Sequence, residues 1–97
     1  MQNITTSNDK YATTYSIYDY TTCISVTLCH FCDIYMVFGV VQDEDGNRWI
    51  AENDNEFVNA GDAFEALKNN AFAQLDDYDA HKMCELLSEL VRMWTTY

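Results

Sequence analysis

The chain has 97 residues, about one domain's worth, and 48% of them are hydrophobic and 14% aromatic, enough to close a core and too much for a disordered acidic tail. Sixteen acidic residues against five basic ones leave a net charge of -11, which opposes binding to nucleic acid or to an anionic membrane surface and points to a basic protein partner. The longest apolar run, residues 34–41, is eight long, well short of the about 20 needed to span a membrane. The polar stretch 1–9 carries no basic cluster with an apolar segment behind it, so no secretory signal is read and a cytoplasmic location is expected.

In chain order, residues 15–20 are rich in tyrosine and β-branched neighbours and fit a strand, although residues 7–18 equally fit a short N-terminal helix capped by Ser7 or Asn8 with Asp9 in its first turn. Residues 22–29 alternate as a strand does. Residues 34–42 and 47–52 flank Asp43, Glu44, Asp45 and Gly46, and the Asp45-Gly46 pair tolerates the positive backbone angles of a hairpin turn. From Gly61 the apolar residues Phe64, Leu67, Ala71 and Leu75 recur at three- and four-residue spacing, with Asn59 as cap. After Asp76 and Asp77 a second helix runs to about Trp94 on the stripe Met83, Leu86, Leu87, Leu90, Val91 and Trp94, with Asp77 and Asp79 near the positive end of its dipole. The expected fold is a single α+β domain over residues 1–97: a small antiparallel sheet of about three strands under two C-terminal helices. Trp49 and Trp94 are expected in the core, and Tyr11, Tyr15, Tyr18, Tyr20 and Tyr35 on a sheet face.

The charges are uneven: thirteen of the sixteen acidic residues lie at or after Asp43. A net charge of this size exceeds the about 2–8 that keeps a small domain soluble, and unpaired carboxylates repel one another in the compact state. Duplex DNA carries about one negative charge per 1.7 Å of axis, so a row of carboxylates can compete with it for a basic channel. The candidate partner-binding residues are Asp43, Glu44 and Asp45 at the hairpin tip, Glu52, Asp54 and Glu56 along an extended segment, and Asp76, Asp77 and Asp79 at a helix start. In an extended chain the middle three project to one side at intervals of roughly 6.6 Å.

In size, charge and strand-then-helix order, and in its acidic runs at 43–45, 52–56 and 76–79, the chain resembles the small phage-encoded anti-CRISPR proteins of the DNA-mimic kind. The resemblance is one of general character and carries no diagnostic motif. It implies an inhibitor that faces the lysines and arginines of a type I CRISPR surveillance complex (Cascade), with type I-F first among targets, in the bacterial host cytoplasm. An anti-restriction decoy or an acidic adaptor for another basic protein fits the same charges.

Cys29, Cys32, His81 and Cys84 could be drawn as a tetrahedral zinc site, against which stand the missing knuckle glycine and the left-over Cys23; the default is four free, mostly buried thiols with no disulfide framework. Only His30 and His81 could activate a cysteine, and three scattered glycines make no phosphate-cradling loop, so neither an enzyme nor a cofactor is expected.

Overall fold

A computed structural model describes residues 3–95 of the chain, apart from the side chains of Asp54 and Thr95. Five strands, β1 (Thr5–Asn8), β2 (Ala12–Asp19), β3 (Thr22–Phe31), β4 (Ile34–Gln42) and β5 (Arg48–Phe57), precede two helices, α1 (Ala60–Gln74) and α2 (Asp77–Thr95). The strands pair in chain order as one antiparallel meander. The α+β class and both helices are as expected, but the sheet has five strands rather than about three.

The short N-terminal helix over residues 7–18 is not formed. All eight residues of β2 pair with β3, from Ala12 opposite Cys29 to Asp19 opposite Thr22. Tyr15 and Ile17 are buried at two-residue spacing, a strand's period, and the stiff side chains of Thr13, Thr14 and Ile17 suit the pleat. The capping residues serve a turn instead: Asn8 Oδ1 accepts from Thr13 Oγ1 at 3.0 Å, and the Asp9 N–H reaches the Ala12 carbonyl at 2.7 Å. β1 escapes a sequence reading because its four residues are all exposed and polar.

Register sorts the sheet into two faces. Tyr15, Val26, Gly39 and Ala51 form one row across β2 to β5, and Ile17, Ile24, Val41 and Trp49 the next. On this face pack Phe64, Leu67 and Ala71 of α1 and Met83, Leu86, Leu87 and Leu90 of α2, all fully buried. Each large side chain so buried stabilises the fold by about 1.5–3 kcal/mol before entropy is subtracted. Asn59 caps α1 as expected, its Oδ1 accepting the Asp62 N–H at 2.8 Å. Asp76 does the same before α2, accepting the Asp79 N–H at 2.8 Å.

The two tryptophans depart from expectation. Trp49 is 47% exposed because it stands in the edge strand, with no described strand beyond it. Trp94 is 40% exposed: it closes the rim of the core, giving its Nε1–H to Tyr15 Oη at 3.3 Å and meeting Tyr35 edge-on. Of the tyrosines, Tyr15 is buried and Tyr35 half-buried, whereas Tyr11, Tyr18 and Tyr20 are exposed.

Candidate functional site

In a meander, alternate hairpin loops fall at the same end of the sheet. The loop of Tyr20 and Thr21 between β2 and β3 therefore lies at the same end as residues 43–47 between β4 and β5, two strand spacings or about 10 Å away. The turn from α1 to α2 returns to that end, where Tyr78 Oη donates to Asp19 Oδ2 at 2.5 Å. One pole of the molecule thus gathers Asp19, Asp43, Glu44, Asp45, Asp76, Asp77 and Asp79.

The β4–β5 turn is built on Asp43. Its Oδ1 accepts the N–H groups of Asp45 at 3.0 Å and Asn47 at 2.9 Å, its Oδ2 accepts Asn47 Nδ2 at 3.1 Å, and its carbonyl accepts the Gly46 N–H at 3.1 Å. Gly46 has φ +87, the left-handed angle for which glycine is suited. The Asn47 amide, followed by the turn's backbone N–H groups, holds the Asp43 carboxyl below its ordinary value. At the helix start the effect is opposite: burial, then the charge of Asp76, pushes Asp79 up. The Tyr78 phenol is pushed up to about 12, chiefly by its hydrogen bond to Asp19. Cations near this pole are Arg48, which opens β5, and Lys82, 3.9 Å from Glu85 and 5.7 Å from the centre of the Tyr78 ring.

Six of the nine expected interface residues, Asp43, Glu44, Asp45, Asp76, Asp77 and Asp79, meet at this pole. Glu52 and Glu56 do not. Glu52 pairs with Phe38 midway along β5, and Glu56 lies towards the opposite end. The expected even row is also broken: Asn53 pairs with Val37 and Phe57 with Tyr35, so four residues of β5 pass two of β4, and the two-residue spacing does not carry through to Glu56. The Asp54 side chain lies outside the described residues. Asp19 was missed because it is a lone acid at the end of a segment read only loosely as a strand.

The zinc arrangement is contradicted by geometry. Cys29 alternates onto the sheet face away from the helices, while His81 and Cys84 belong to α2 on the other side. His81 rests edge-on against Phe72 at 5.0 Å, and Cys84 Sγ points at the Lys68 carbonyl at 3.7 Å, where burial pushes its thiol up. Among the described residues no three or more His, Cys, Asp or Glu gather as metal ligands. The four thiols are free, yet none is fully buried, and Cys32 is exposed. His30 stacks on Tyr35 with ring centres 4.1 Å apart.

At the far pole, a groove of about 480 Å³ is lined by Tyr35, Asn59, Gly61, Asp62, Glu65 and Trp94 among others, and no His or Cys lines it. No helix among the described residues is long and apolar enough to cross a membrane. No family model, curated protein or solved structure matches the chain.

Proposed function

We propose that this protein is an inhibitor that presents carboxylates in place of DNA phosphates and occupies the basic DNA-binding channel of a bacterial CRISPR surveillance complex, type I first among them. The observation that carries the reading is the acidic pole, where seven carboxylates from three separated stretches of chain converge near two cations. A channel lined with lysine and arginine gains from such a surface what it gains from duplex DNA, and long-range attraction steers the encounter. The target's cytoplasm is then the place of action.

The test is competition. Purified type I-F surveillance complex, preincubated with the protein, should fail to bind its target duplex, and association should slow markedly when ionic strength is doubled from physiological levels. The variant Glu44→Lys/Asp45→Lys/Asp77→Asn should inhibit at least about tenfold more weakly with an unchanged circular dichroism spectrum. Simultaneous binding of protein and duplex would favour the adaptor reading. Competition at another DNA-binding machine, and none here, would favour an anti-restriction decoy.

A further inference from the structure

The apolar run at residues 34–41 is longer than the core requires. On β4, Val37, Gly39 and Val41 face the helices, and the alternate residues Ile34, Met36, Phe38 and Val40 face the other way. An antiparallel sheet with one solvated face carries polar residues there, whereas a strand apolar on both sides is one covered on both sides. Here the second side is only partly covered: Val40 is 7% exposed, but Met36 is 42%, Phe38 37% and Ile50 47% exposed, and Phe31 at the end of β3 is 60% exposed.

This face carries charges of both signs. Among the described side chains, alternation puts Arg48 and Glu52 on it, one on either side of Ile50, with Glu56 at the far rim beside Met36. In a chain of net charge -11 this is a face where a like-charged molecule can approach closely.

We propose that the helix-free face of the sheet is the docking surface for a second copy of this chain. A two-fold axis lying in the interface, across the strands through Val40 and Ile50, sets Ile50 against Ile50 and Val40 against Val40, because these two residues are paired in register. Phe38 pairs with Glu52 and Gln42 with Arg48, one step to either side. The same rotation therefore lays Arg48 of each copy over Glu52 of the other, twice. It also sends the two acidic poles to opposite ends of the dimer, apart by roughly the 33 Å length of a ten-residue strand and well beyond the screening length of about 8 Å. An axis along the strands would instead set Arg48 beside Arg48 and the two poles side by side. Face-to-face sheets pack about 10 Å apart with their side chains interdigitated, which would bury Met36 and Phe38. Glu52 then serves the dimer rather than the acidic pole.

Sedimentation velocity on the full chain at micromolar concentration tests this. The wild type should sediment at twice the 11.2 kDa chain mass. Ile50→Glu, which places two like charges on the axis, should sediment as a monomer with an unchanged circular dichroism spectrum. Arg48→Glu should weaken the dimer by about tenfold, and the exchange Arg48→Glu/Glu52→Arg should recover most of that loss. A monomeric wild type, a dimer indifferent to Ile50→Glu, or an exchange no better than the single change would each overturn the proposal. A monomer whose face is taken by a different protein would do so too.

Discussion

The side chain of Gln74, the last residue of α1, completes the outer edge of β5: its Oε1 accepts the Glu52 N–H at 2.8 Å and its Nε2 donates to the Glu52 carbonyl at 2.9 Å. One primary amide thereby satisfies the donor and acceptor that a neighbouring strand would otherwise claim. Gln74→Leu is expected to lower stability by about 1–2 kcal/mol, the worth of two hydrogen bonds, and to raise light scattering as the edge becomes open to other chains. Gln74→Glu keeps the acceptor and loses the donor, so its urea midpoint should fall between the two. A Gln74→Leu protein with wild-type midpoint and scattering would show that the edge needs no such cover.

Gly39 makes room for α2. A Cβ placed on it would stand 2.5 Å from Met83 Sδ and 2.6 Å from Met83 Cε, and Met83 is fully buried. Gly39→Ala should therefore cost about 1–3 kcal/mol as the thioether is forced aside. Met83→Ala should cost about 2–5 kcal/mol through the cavity it leaves. Combined, they should cost less than their sum, because the new methyl enters the space the thioether vacated. Chemical denaturation of the four proteins measures this, and strict additivity would mean that the two side chains do not share that volume.

Much of the fold was legible where a residue type has one structural use. Gly46 marks the β4–β5 turn, Asn59 the start of α1, and the apolar stripe of α1 and that of α2 from Met83 to Leu90 lie on the core side as their spacing requires. The β2–β3 and β3–β4 loops, two residues each, were silent because they take left-handed angles without glycine: φ is 57 at Tyr20, 53 at Cys32 and 64 at Asp33. The strand count was low because β1 is polar throughout and the stretch of β2 also fits a helix, and strand count decides which loops share an end. That is why the acidic runs at 43–45 and 76–79 could be named from the sequence while their meeting beside Asp19 could not. The cysteine and histidine spacings could not decide for or against a metal site for a related reason, since spacing along the chain does not say on which side of a sheet a residue falls.

Those loops suggest where stability is being given up. Between β2 and β3 the positive φ falls on Tyr20 of the two loop residues, the hairpin pattern in which glycine leads, and the Tyr20 side chain is 94% exposed. Tyr20→Gly should stabilise the protein by about 1 kcal/mol, because left-handed strain is relieved and little packing is lost. Between β3 and β4 both loop residues are left-handed, for which Asn-Gly is preferred, so Cys32→Asn/Asp33→Gly should also raise the thermal midpoint. A fall in stability with Tyr20→Gly would reveal an attachment of that ring that its exposure does not suggest.

The tie between Tyr78 and Asp19 gives the acidic pole a signature in alkali. A phenol donates to a carboxylate only while it keeps its proton, which is why Tyr78 is pushed from 10.0 up to about 12 in the folded protein. Since the folded value is the higher, the folded state binds more protons across that interval, and stability falls as pH rises. The contribution is fully present below pH 10 and is lost as pH passes through about 12. Following phenolate absorbance in the wild type and in Tyr78→Phe, the difference curve should report one late titration among the chain's seven tyrosines. In Asp19→Asn the carboxylate is gone and that step should move back towards 10. A Tyr78 step already near 10 in the wild type would mean that the bond is open in solution, and that the β2–β3 loop and the start of α2 are not fastened together at the pole.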